Sequence, residues 1–169
     1  MDLFDAIQGR RSIRVYAPRP VEDDLLQTVI AAGMQSPSAG NEQPWEFLVI
    51  RNRDTLCKIA ADHPYAEMVA EAPAAILVCT DMARVKHRDY WQQDCAAAAQ
   101  TMLLAAHGLG LGSVWVGIYP REARIRALAE TVSLPEGVLP FCLLPVGFPG
   151  EVKEPEDRFD AARIHRERW

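Results

Sequence analysis

Three guanidinium groups and a hydroxyl fall within five residues at positions 10–14, in the run RRSIR. Arginine presents a planar fork of donors that grips phosphate oxygens in pairs, and a serine hydroxyl adds one more hydrogen bond. The same run also reads as a solvated basic turn, because exposed charges often do little. Context leans toward an anion ligand. The 169-residue chain carries 23 acidic and 18 basic side chains, a formal net charge of −5. That balance argues against sequence-independent nucleic-acid binding, which needs a basic excess. A local arginine cluster is therefore read as a local site.

Two more segments hold ligand-binding types. PSAGNEQPW at positions 37–45 combines serine and glycine, which let a backbone approach a ligand, with Asn41 and Gln43. Each of these amides offers a donor and an acceptor to the edge of a heterocycle. Read alone, the segment is equally a polar loop between a helix and a strand. GLGLGSVWVG at positions 108–117 has the pattern G-x-G-x-G and lies between a helix and the following strand. A dinucleotide phosphate turn needs G-x-G-x-x-G after a strand and before a helix, so a dinucleotide fold is rejected. These glycines end a helix and make a tight turn, while Trp115, Val116 and Gly117 can present backbone N–H groups. Arg158 carries no signal by itself.

The elements that must position these residues follow from periodicity and punctuation. Residues 2–9 read as a short helix capped by Asp2, with Leu3, Phe4 and Ile7 on one side. Residues 10–20 hold two prolines and read as an extended loop. A second helix starts near Val21, with Glu22, Asp23 and Asp24 at its positive end, and stops around residues 33–36. Residues 36–45 are loop. Strands are expected at 46–51, 74–80, 113–118 and 139–146, the last with uncertain edges because of Pro140 and Pro145. Helices are expected at 54–61, at about 90–107 with Gly108 as its stop, and from Pro120 to about Thr131. The final stretch, 149–169, has no clean period. Phe159, Ile164 and Trp169 give it apolar anchors, which favours a tail lying across a partner over disorder.

Cys57, Cys79, Cys95 and Cys142 form no C-x-x-C pair and no zinc spacing with a histidine. With no disulfide framework, a reducing cytoplasm is the expected setting. Residues 1–14 lack a signal-peptide apolar stretch, and no run approaches the ~20 apolar residues of a membrane span. No metal site and no membrane partner are expected.

Taken together, RRSIR at 10–14, PSAGNEQPW at 37–45, HGLGLGSVWVG at 107–117, VGFPGE at 146–151 and DRFDAARIH at 157–165 resemble the nitroreductase family in order and separation. The resemblance implies an α+β sandwich: an antiparallel central sheet surrounded by helices in an intertwined dimer. It implies one domain over residues 1–169, with 149–169 extending onto the partner subunit. It also implies two FMN sites at the dimer interface, each built from both chains. Carried across, Arg10, Arg11, Ser12 and Arg14 hold the phosphate, ribityl and pyrimidine end, and Arg158 adds to the phosphate grip. Pro37, Ser38, Ala39, Asn41 and Gln43 come from the other chain, and Val116 and Gly117 line the flavin near N5. The implied activity is hydride transfer from NADH or NADPH through the flavin to a nitroaromatic or quinone, in a ping-pong cycle. Arg14 is the candidate for stabilising negative charge on the reduced ring. The alternatives are an FMN-storage protein without turnover, or flavin destruction or dehalogenation on the same fold. The chain is short for the family, so residues 65–94 are expected to supply much of a substrate lid. Tyr65, His87, Tyr90 and Trp91 are candidate pocket residues there, and equally candidates for packing or surface positions.

Overall fold

In chain order the elements are α1 (Leu3–Gly9), α2 (Asp23–Met34), β1 (Trp45–Ile50), α3 (Arg53–Asp62), β2 (Ala74–Asp81), α4 (Trp91–Gly108), β3 (Gly112–Ser113), β4 (Val116–Gly117), α5 (Glu122–Val132) and β5 (Val138–Gly147). Strand β2 sets the layering. All its residues but the last are buried, so both of its faces are covered. Side chains alternate across a strand. Ala74, Ile76 and Val78 enter one apolar cluster with residues of α2 and α4. Ala75, Leu77 and Cys79 enter a second with residues of α3 and α5. The computed structural model, which describes residues 1–169, is thus an α+β sandwich with an antiparallel sheet as its middle layer.

The strand order is β1-β2-β5-β3, with β4 also pairing β5. The strand with two prolines is therefore central, not peripheral. Proline has no N–H for the ladder, and the fold accommodates this at both positions. Pro140 faces Cys79 where the β2–β5 register shifts. Pro145 lies in a gap on the other side, because β3 pairs with Val146 and Gly147 while β4 pairs with Cys142 and Leu143. The single strand expected at 113–118 is accordingly two short ones, with Val114 and Trp115 between them.

Helix α1 forms with Asp2 as its cap, as expected, and two other expectations change. Leu3, Phe4 and Ile7 of α1 are each more than half exposed, and only Ala6 of that helix is buried. Residues 65–94 cannot serve as a lid throughout, since β2 runs through the core; only the turns flanking β2 are free for that role. Trp91 likewise packs in the first cluster, not in a pocket. In α4, Ala98 and Ala99 are buried in the chain's own core, whereas Ala96 and Ala97 stay half-buried. Past Gly147 nothing is buried, and from Glu154 onward every residue is exposed. No helix is long and apolar enough to cross a membrane.

Candidate functional site

The arginine loop is held by one apolar residue in its middle. Ile13 is buried, and its N–H donates to the Ser113 carbonyl at 3.0 Å, beside a parallel bridge between Ser12 and Ser113. The buried Tyr16 hydroxyl lies 2.9 Å from the Ile13 carbonyl. With Ile13 pinned inward, the arginines around it are left at the surface. Gly112 makes the contact possible, because a Cβ there would lie 2.6 Å from Ile13 Cγ2 and 2.8 Å from its Cβ. A β-branched side chain has little rotamer freedom with which to yield. Gly112→Ala is therefore expected to push the loop off β3 and to destabilise the fold by about 1–3 kcal/mol. Urea unfolding measures this, and an unchanged midpoint counts against the contact.

Two hollows border this loop. One, of about 660 Å³, lies between the end of α1 and the tail and is lined by Arg10, Arg11, Glu156 and Arg158. The other, of about 470 Å³, has β4 as its floor and is lined by Arg14, Tyr65, Glu67, Trp115, Gly117 and Arg124. Val116 also lines it, so Arg14, Val116 and Gly117 are brought together. A Cβ built on Gly117 meets nothing within 4 Å. The floor therefore offers bare backbone to whatever enters.

The cations divide into distinct roles. Arg10 makes no ion pair, and burial lowers its pKa, helped by the neighbouring charges of Arg11 and Arg158. Arg10 thus brings an unpaired guanidinium to the first hollow, which also holds the carboxylates of Glu156 and Asp157. Arg11 instead uses its guanidinium on carbonyls: those of Gln8 and Arg10 at 3.0 and 2.7 Å, and those of Glu154 and Glu156 at 3.0 and 3.3 Å. It stitches the tail to the loop. Arg158 is engaged by the Glu156 carboxylate, with Nε at 2.8 Å. Ser12 contributes a carbonyl that accepts from Lys153 Nζ at 2.8 Å.

Glu151 completes the seam between loop and tail. Its carboxylate accepts from the backbone N–H of Arg14 at 2.6 Å and of Val15 at 3.3 Å, and it pairs with Lys153 at 3.2 Å. The Arg14 N–H is the largest influence holding its pKa below the ordinary carboxylate value, with smaller help from Lys153. A depressed folded pKa gives stability that is present above the unfolded value, about 4.3, and lost as pH falls through the folded one. Wild type should therefore lose stability below pH ~4 more steeply than Glu151→Gln, which cannot titrate. Urea midpoints between pH 6 and pH ~3 test this, and parallel curves would remove Glu151 from the seam.

Residues 37–43 line neither hollow. They form a compact loop with Gly40, Asn41 and Gln43 all at positive φ. The N–H of Ala39 donates to the buried Asp94 at 2.9 Å, and that of Gln43 to Ser38 Oγ at 2.9 Å. Glu42 turns inward and accepts from the N–H groups of Lys86 and His87 at 3.0 and 2.9 Å. Pro37, Asn41 and Gln43 are left exposed.

Sequence reasoning missed the bracing of β4. Buried His63, just past α3, has Nδ1 3.2 Å from the Tyr65 N–H, so that nitrogen is the acceptor and Nε2 carries the proton. Nε2 donates to the Gly117 carbonyl at 3.0 Å, and Arg124 Nη1 donates to the same oxygen at 2.9 Å. A histidine 54 residues away has no sequence spacing that would reveal this. Glu151, Lys153 and Asp94 escaped for the same reason.

The geometry defines an α+β sandwich with an arginine-lined hollow beside an open, backbone-floored one. A family model described as the Nitroreductase family matches residues 7–64 and 60–148. A protein of Methanothermobacter thermautotrophicus, assigned as an NADH dehydrogenase/NAD(P)H nitroreductase, is 48% identical over all of this chain and 88% of its own length. A crystal structure from Clostridium acetobutylicum, assigned as an NADH oxidase, superposes with a TM-score of 0.94 at 43% identity, covering 98% of this chain and 100% of that one. A Desulfovibrio desulfuricans protein, assigned as a nitroreductase and solved in complex with FMN, superposes with a TM-score of 0.87 at 32% identity, covering 100% and 98%. The chain belongs to the nitroreductase family.

Proposed function

We propose that this chain is an FMN-dependent NAD(P)H oxidoreductase, active as a homodimer on nitroaromatic or quinone acceptors. The observation that carries the reading is the joint presentation of Arg14 and bare Gly117 backbone to one hollow, next to the unpaired Arg10. This donor set fits FMN. Arg10 and Arg158 are suited to its terminal phosphate, with Arg11 fixing the tail that carries Arg158. Arg14 supplies positive charge where the pyrimidine end gains electron density. Val116 and Gly117 floor the ring. Ser12 anchors the loop through its backbone.

When bound, FMN supplies the two-electron chemistry that accepts hydride from NADH or NADPH at N5 and delivers it to the acceptor. The chain's own work is placement. His63 and Arg124 hold the Gly117 peptide, and Ile13 and Tyr16 hold the arginine loop, so neither needs to reorganise during turnover. Residues Pro37, Ser38, Ala39, Asn41 and Gln43 are assigned to the FMN site of a second copy, a reading supported by their absence from their own chain's two hollows and by the exposure of Pro37, Asn41 and Gln43. Exposed Leu3, Phe4, Ile7, Phe159, Ile164 and Trp169 support that second copy, since isolated chains seldom leave so many large apolar side chains uncovered.

The deciding experiment is an absorption spectrum of the purified protein, followed by addition of NADH or NADPH without oxygen. A flavin spectrum that bleaches, and recovers with a nitroaromatic or quinone, is expected. Bleaching without reoxidation would favour a binding role over turnover, and failure to take up FMN would remove the reading.

A further inference from the structure

The hollow over β4 holds two guanidinium groups, those of Arg14 and Arg124, and one carboxylate, that of Glu67. None of the molecule's ion pairs includes either arginine. The oxidoreductase reading gives Arg14 a task and leaves Arg124 with only a brace. A brace needs less than a guanidinium. Of its five N–H donors, one goes to the Gly117 carbonyl, which already receives His63. The group is half-buried on α5, with Cζ 5.5 Å from the centre of the Tyr65 ring. Tyr65 is 71% exposed and is one of the residues lining the hollow.

Two contacts thus fix the orientation of a partly desolvated cation that makes no ion pair, although the Glu67 carboxylate lines the same hollow. A planar fork held this way loses little further freedom when it pairs with a carboxylate or phosphate. The neighbouring aromatic ring suits a flat body attached to that anion. We propose that Arg124, with Tyr65, is a specificity-determining anion subsite of this hollow. It recognises an acidic oxygen group on the incoming substrate, with an aromatic acid as the acceptor class best matched to the ring beside it. The proposal rests on the FMN oxidoreductase reading above. A nicotinamide nucleotide carries the same anionic chemistry in its phosphates, and the test separates the two sources.

The acceptor pair is 4-nitrobenzoate and its methyl ester. The donor pair is NADH and N-benzyl-1,4-dihydronicotinamide, which has the same ring and no phosphate. Arg124→Gln should lower the acid-to-ester ratio of kcat/KM by roughly 10-fold or more, mainly through KM, and Arg124→Lys should recover part of it. If the recognised anion is the donor's, the NADH ratio falls instead. A purely structural brace would depress all four substrates together and leave both ratios within about twofold of wild type. That result overturns the proposal.

Should Arg124→Gln fail to hold FMN, the wild type decides. Rising ionic strength should raise KM for the acid and not for the ester. An equal salt response in both is fatal to the subsite. A wild type without FMN-dependent NAD(P)H oxidation removes the oxidoreductase reading and the subsite together. An active enzyme indifferent to substrate charge removes only the subsite.

Discussion

Gly117→Leu is expected to weaken FMN binding on the order of 100-fold and leave the fold at least as stable. A Cβ at this position meets no atom within 4 Å, and the residue is not among the glycines at positive φ. Glycine weakens a strand, so a side chain in β4 adds backbone stability if anything. The leucine would instead stand in the hollow faced by Arg14. Overfilling costs up to about 3 kcal/mol in packed sites, which corresponds to a loss on the order of 100-fold in affinity. Fluorescence titration with FMN and thermal unfolding of the apoprotein read the two effects separately. Retained tight binding would mean the flavin does not lie on β4, and an unstable apoprotein would mean the space is not open. Gly112→Ala gives the opposite signature, because its Cβ collides with Ile13 and the fold itself is weakened.

These two glycines also show what sequence conveys and what it withholds. Both stand in the run at 108–117, which reads as turns plus backbone that a ligand could approach. Nothing in the residue type says which glycine makes room for Ile13 and which makes room for a ligand. That difference lies in packing across the sheet. The buried run of β2 was legible because an apolar stretch of that length between breakers needs cover on both faces. The central place of β5 was not, because its prolines suggest an edge and only the split into β3 and β4 makes Pro145 tolerable there. Helix α1 was legible as a helix but not in the direction of its apolar side. Periodicity finds a stripe and does not say what covers it.

The site was legible in its cations and not in their partners. Arg10, Arg11 and Arg158 do gather around one hollow. Yet Arg11 is occupied by carbonyl oxygens from four residues, and carbonyls have no signature in a sequence. One of its five N–H donors is left over, so a paired grip on a phosphate requires it to release at least one carbonyl. Arg11 is therefore better viewed as the clip that sets Arg158 beside Arg10 than as an equal member of a three-arginine grip. The bracing of Gly117 by His63 and Arg124 was hidden in the same way, since it converges on a main-chain oxygen.

Removing residues 156–169 is expected to cost both FMN affinity and self-association while leaving the subunit folded. The core supports the last part, because no buried residue lies beyond Gly147. The seam supports the first. Glu151, Lys153 and the Arg11 contact to Glu154 remain, but Arg158 leaves the hollow and Arg11 loses the Glu156 carbonyl. One charge-assisted phosphate contact is worth ~1.5–3 kcal/mol, so roughly 10- to 150-fold in affinity should disappear. Association is lost for a different reason. The portion of the tail held by its own chain ends near Glu156, and Phe159, Ile164 and Trp169 beyond it are 76%, 55% and 101% exposed. Side chains of this size, with Leu3, Phe4 and Ile7 of α1, are the apolar surface that a dimer interface would cover. Full-length protein should then show an unfolding midpoint that rises with concentration, and the shortened chain a weaker dependence. Light scattering and FMN titration on both proteins separate the claims. A shortened chain that stays dimeric would free the tail from any clasp. A full-length monomer holding FMN one to one would show that residues 37–43 of a second copy are not needed to close the site.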